Sequence, residues 1–218
     1  MDRPELIDFG AAVGDAVAIA QSARSATLGW RALCVRERRR VGSKWIEPLS
    51  GLDLDEDAAK ISRSVRSLTR RSARGDTLVF GLFDAIDDGS GGYAGYHVAE
   101  VASHGRDVHD FMRDPWTPER QFLRSDALDA IVTAASRAPA GVRPLLEYSL
   151  CFGAAALTSR FAVEGLPHRL VVAFDDDHGR PPPVGAPRFA EIVVKRPGSR
   201  NVGAGTETEI AMRLLTRM

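Results

Sequence analysis

LLEYSLCFGAAALTSRFAVE, residues 145–164, decides the fold, because the same stretch fits two architectures. Read with a period of two, Leu146, Tyr148, Leu150 and Phe152 share one face while Glu147 and Ser149 take the other. Leu157, Phe161 and Val163 then share a face of a second strand over 155–163. Read as one helix, the segment has Pro144 at its start and Gly165 at its end, the residues suited to those places. In that helix Glu147, Ser149, Thr158, Ser159 and Arg160 would scatter around the axis, whereas most of them alternate in strands. The strand pair is therefore the expectation, and with strands over 168–174 and 188–195 the last third reads as an antiparallel meander.

Working outward, TLVFGLFD over 77–84 is apolar at successive positions, as a central strand covered on both faces would be. An acidic, glycine-rich turn over 84–92 leads to a second strand over 93–102, giving a hairpin. In 27–40, Leu28, Trp30, Leu33 and Val35 fit a strand or a short helix. With a turn at Val41-Gly42-Ser43 and Lys44-Trp45-Ile46 returning, a hairpin is expected there. Helices are expected over 3–22 (Asp2 and Glu5 as a capping box), over 53–75 behind an acidic first turn, and over 125–138 capped by Ser125. A fourth opens at Thr206 and Glu209. Residues 104–122 read as irregular, and Pro181, Pro182 and Pro183 mark a surface loop. The expected fold is a single α+β domain over 1–218, with a largely antiparallel sheet of about six strands packed by three to four helices. Residues 1–75 form a mostly helical, basic portion.

The 218 residues are 44% hydrophobic and 27% charged, with 29 basic and 29 acidic side chains, which excludes collagen-like, disordered and disulfide-scaffold classes. No apolar run approaches the ~18 residues of a membrane span. The first residues lack the basic start of a secretory signal, and Cys34 and Cys151 each have apolar neighbours and read as buried thiols. A cytoplasmic protein is expected. Charge is uneven: residues 24–75 hold 13 basic and 6 acidic side chains. Arginines outnumber lysines 26 to 3, which a GC-rich coding bias explains without function.

No phosphate loop, nucleophile elbow, HExxH or CxxC is present, so the self-contained catalytic signatures are missing. Residues 93–122 gather His97, His104 and His109 with Asp107 and Asp110, donors that suit zinc or iron. Their spacing matches no standard site, and three ordinary strand and loop histidines are the plainer reading. Asp175, Asp176 and Asp177, beside His178, and the group Asp84, Asp87 and Asp88 have the donor type for Mg²⁺ but read as solvated turns. Gly203-Ala204-Gly205 reads as a loop before a cap, because Glu207 and Glu209 would repel an anion.

Arg63, Arg66, Arg70 and Arg74 cluster about 180° from the Ile61/Val65/Leu68 face of their helix, and Arg36, Arg38, Arg39 and Arg40 extend the basic surface. No aromatic residue interleaves them, so nucleic acid is not the expected ligand. Trp116, between Pro115 and Pro118, is a candidate anchor for a partner. The expectation is a non-enzymatic protein-binding or accessory protein, of the immunity type, that meets an acidic partner through Arg63, Arg66, Arg70, Arg74 and Trp116, without membrane and without cofactor. The alternative is a metal-dependent hydrolase in which His97, His104, His109 and Asp107 hold zinc or iron.

Overall fold

A computed structural model describes residues 8–72, 75–86, 93–101, 121–174 and 189–192, and in it the N-terminal third is helical. Helix α1 (Phe9–Ser22) starts later than the sequence suggests. Asp8 lies outside it, and its carboxylate accepts from the Ala11 N–H at 2.9 Å, so Asp8 is the cap. Asp2 and Glu5 fall outside the described residues.

The hairpin expected at 27–46 is two helices, α2 (Ala26–Val41) and α3 (Ser43–Ile46). The reason is visible in the burial. Leu28 and Val35 are 54% and 67% exposed, while Glu37 on the same helix is fully buried. Two apolar residues on the wet side and a carboxylate on the dry side blur the helical stripe into something like alternation.

Helix α4 (Leu54–Ser72) matches its sequence signature. Asp53 accepts from the Asp55 and Glu56 N–H groups, and Leu54, Ala58, Ile61, Val65 and Leu68 are buried. Gly75 follows, where a Cβ would run into Glu100 and the backbone of Val101.

Strands β1 (Thr77–Ile86), β2 (Tyr93–Val101) and β3 (Gln121–Arg124) form an antiparallel run. Strand β3 begins at Gln121, inside the last two residues of the 104–122 stretch expected to be irregular. Ser125 then caps α5 (Asp126–Ser136), its hydroxyl accepting from the Leu128 N–H at 3.1 Å. The stretch expected as a strand pair is instead helical from 145 to 162, a π-helical turn over Leu145–Leu150 running into α6 (Cys151–Ala162). Two further strands, β4 (Arg169–Phe174) and β5 (Phe189–Ile192), complete a sheet of order β3-β2-β1-β4-β5.

The two corrections belong together. A strand pair at 145–164 would have continued the meander; a helix instead makes the link from β3 to β4 a crossover, and β4 pairs with β1 in parallel. The fold is α+β with a five-stranded sheet and six helices among the described residues; three of the four strand pairings are antiparallel, as expected, and the one parallel pairing makes the sheet mixed.

Helix α6 is the centre of the molecule. It touches α1, α2, α4, α5, β1 and β4, and every residue from Cys151 to Ser159 is buried. Two glycines let α2 and α6 close on each other: Leu157 occupies the space a Cβ on Gly29 would take, and Leu33 does the same over Gly153. The sheet meets the helices through Leu78, Phe80, Leu82, Tyr96, Val98, Leu170 and Val172. Its other face carries a second buried cluster of Val79, Ala99, Val171 and Ala173, which is why β1 reads apolar throughout.

At the β2–β3 pairing, Gly95 sits opposite Arg124, and a Cβ there would overlap the Leu123 carbonyl oxygen. Gly95→Ala should therefore cost about 1–3 kcal/mol, and urea unfolding followed by circular dichroism would measure it. A loss within ~0.5 kcal/mol would show that the pairing is looser than this geometry.

Candidate functional site

Because Leu54, Ile61, Val65 and Leu68 fix one side of α4 in the core, Arg63, Arg66 and Arg70 are carried to the opposite, exposed side. They lie along two turns, about 10 Å of helix at about 1.5 Å per residue. With Ser67 they line a cavity of about 370 Å³. Arg66 is anchored: its Nη2 donates to the Glu164 carbonyl at 3.1 Å, and its Nε to the Ser62 hydroxyl at 3.3 Å. Neither Arg63 nor Arg70 has an ion-pair partner among the described residues. Arg74, the fourth member of the row, lies outside them. No carboxylate and no aromatic ring is among the described lining residues.

The other half of the expected basic surface is split: Arg38 and Arg39 are exposed and, like Arg63 and Arg70, have no ion-pair partner among the described residues, whereas Arg36 and Arg40 are built in. Arg36 and Arg40 bridge Asp15 of α1 at 2.5 and 3.1 Å, and Arg40 also reaches the buried Glu37 at 2.5 Å. These guanidiniums hold α1 to α2. Burial pushes the Glu37 carboxyl above its ordinary 4.5, more than Arg40 pulls it down. Burial and the Glu37 charge also push the Cys34 thiol up to about 12, so it stays protonated; neither Cys34 nor Cys151 is disulfide-bonded.

The Glu37 shift has a testable sign. A carboxyl more easily protonated in the folded than in the unfolded chain stabilises the fold at low pH, and that contribution is lost as pH rises from 4.5 through the raised folded value. Glu37→Gln does not titrate. The stability of wild type minus variant, from urea unfolding across that window, should therefore fall with rising pH. A flat or rising difference would sink the assignment.

Of the histidine group, His97 is on β2, buried, in line with Gly81 and Phe122 on the flanking strands. Its ring stands edge-on to Phe122, with centroids 4.3 Å apart. His104, Asp107, His109 and Trp116 lie outside the described residues. Among the described residues no group of three histidine, cysteine or carboxylate side chains has metal-binding geometry. The aspartates and His178 of 175–178, and Asp87 and Asp88, also lie outside them.

Two buried polar clusters escape sequence reading. In the first, Ser125 Oγ donates to Asp57 of α4 at 2.5 Å, and the Ala127 N–H donates to the same oxygen at 3.3 Å. The Tyr96 hydroxyl sits beside Ser125 and Thr158 without good hydrogen-bond geometry to either, and burial together with the Asp57 charge raises it above its ordinary value. In the second, His168 Nε2 and Glu100 Oε1 are 2.9 Å apart, their side chains 9% and 2% exposed. A signal existed for the carboxylates alone. Asp57 falls on the Leu54/Ile61 stripe of α4, and Glu100 on the Tyr96/Val98 face of β2; their partners come from distant segments. Both clusters are enclosed and join elements, Asp57 linking α4 to α5 and Glu100 linking β2 to the start of β4. The arginine-lined cavity, by contrast, opens on the surface.

No helix among the described residues is long and apolar enough to cross a membrane. No protein-family profile, curated protein or solved structure matches the chain.

Proposed function

We propose that the chain is a non-enzymatic protein-binding protein whose α4 arginine row docks an acidic protein partner. The observation that carries this reading is the contrast between two arginine groups. Arg36 and Arg40 are neutralised by Asp15 and Glu37, whereas Arg63, Arg66 and Arg70 line a cavity without an ion-pair partner among the described residues. Like charges at i,i+3 and i,i+4 on a helix cost about 0.2–0.5 kcal/mol per pair, so the row works against folding in the isolated chain. A carboxylate-bearing partner turns that cost into attraction, and the anchored Arg66 fork offers bidentate geometry without further ordering.

The test is affinity capture from the protein's own cell lysate with wild type and with the Arg63→Glu/Arg70→Glu variant, at low and high salt. The expected result is one stoichiometric acidic protein, retained by wild type at low salt and bound at least about tenfold more weakly by the variant. Retention should fall as salt shortens the Debye length to about 3 Å at 1 M. Nothing stoichiometric at low salt, or equal retention by the variant, would overturn the reading.

A further inference from the structure

Charge balance and donor chemistry narrow what the cavity accepts. Arg63, Arg66 and Arg70 bring three charges with no ion-pair partner among the described residues, since Arg66 donates only to a carbonyl and a hydroxyl, and Ser67 adds a hydroxyl to the lining. A glutamate or aspartate brings one charge on two oxygens. A phosphoryl group on serine or threonine brings about −1.5 to −2 charges on three oxygens at pH 7, which offsets the three guanidiniums more fully than one carboxylate does. The volume, about 370 Å³, is at the small end of ligand sites, which run from about 300 to 1,000 Å³. Without an aromatic ring among the described lining residues, nothing there stacks a nucleobase. Resting on the acidic-partner reading above, we propose that the α4 cavity binds a phosphoryl group presented by that partner as phosphoserine or phosphothreonine. Arg63 and Arg70 pair with its oxygens, Arg66 holds a third contact from its fixed position, and Ser67 donates its hydroxyl.

The experiment uses the full chain and fluorescence anisotropy with one labelled acidic peptide in three forms, bearing phosphoserine, glutamate or serine at its centre. The phosphoserine form should bind at least about tenfold more tightly than the glutamate form, the margin one charge-assisted hydrogen bond supplies. That advantage should shrink as pH falls through about 6, where the phosphoryl group loses its second charge. It should vanish in Arg63→Ala/Arg70→Ala, a surface variant whose thermal melting lies at or slightly above that of wild type because two like-charge pairs are gone; Arg66 is left intact because it also holds the Glu164 carbonyl. Equal affinity for the phosphoserine and glutamate forms would overturn the phosphoryl assignment and leave the acidic-partner reading standing. Failure of all three forms to bind would overturn both. Inorganic phosphate forms the last arm. If it binds with the same dependence on Arg63 and Arg70, and the phosphopeptide gains nothing over it, the source is a free anion and the partner-borne assignment falls.

Discussion

Trp30→Ala should remove about 3–5 kcal/mol of unfolding free energy, a large share of the 5–15 kcal/mol a domain of this kind typically has. The indole is completely buried in α2, and its Nε1 donates to the Leu49 carbonyl at 2.7 Å. Truncation therefore leaves a cavity in the main core, which supplies most of the loss, and removes one of the two hydrogen bonds to the Leu49 carbonyl, which keeps the Leu52 N–H at 3.2 Å. Trp30→Phe separates the two effects, since it keeps most of the apolar volume and loses only the donor; about 1–3 kcal/mol is expected. Urea unfolding followed by far-ultraviolet circular dichroism should show a lower midpoint with an unchanged slope. A Trp30→Ala loss below ~1 kcal/mol would mean the indole is not in the core.

Asp57→Ala is the second large effect, at about 3 kcal/mol, because it leaves the Ser125 hydroxyl and the Ala127 N–H buried without their acceptor. Ser125→Ala should cost about 1–2 kcal/mol, since it also removes the cap on the Leu128 N–H. The double variant should lose less than the sum of the single losses, with a coupling of at least ~0.5 kcal/mol. Additive losses would show that the α4–α5 link is not made by this pair. Asp57→Asn, which retains an acceptor oxygen, should recover part of the loss.

How much was legible follows the burial of each element. Helix α4 and strand β1 were read correctly because each shows its environment in its pattern: one wet and one dry side for α4, two dry faces for β1. Helix α6 was misread for the opposite reason. Surrounded on every side, it has no wet side to create contrast, and Thr158 and Ser159 are as buried as Leu157. Ser159 meets its hydrogen-bonding need inside the helix, donating to the Ala155 carbonyl at 2.6 Å, which makes a polar residue at a core position tolerable. The π-helical turn ahead of α6 adds to the difficulty, because its wider turn shifts the phase of Leu146, Tyr148 and Leu150 away from the α-helical period.

The arginine row was legible as a face, since its spacing is local. Its distinction from Arg36 and Arg40 was not, because the partner Asp15 lies 21 positions before Arg36 on another helix. The buried polar pairs follow the same rule. Asp57 and Ser125 are 68 positions apart, as are Glu100 and His168, and one sequence carries no record of which residues converge over such separations.

The parallel pairing of β1 with β4 joins Thr77 to Arg169 across more than ninety positions of chain. During synthesis β1 pairs with β2 on one edge early, while its other edge waits for β4 to leave the ribosome. At about 5–20 residues per second that wait lasts on the order of 5–20 s. Through that interval β1, whose Leu78, Phe80 and Leu82 are buried on one face of the finished sheet and Val79 on the other, presents unpaired backbone to any neighbouring nascent chain. Newly made protein is then at greatest risk of intermolecular association, and its yield depends on chaperone capacity and on how densely ribosomes load the message.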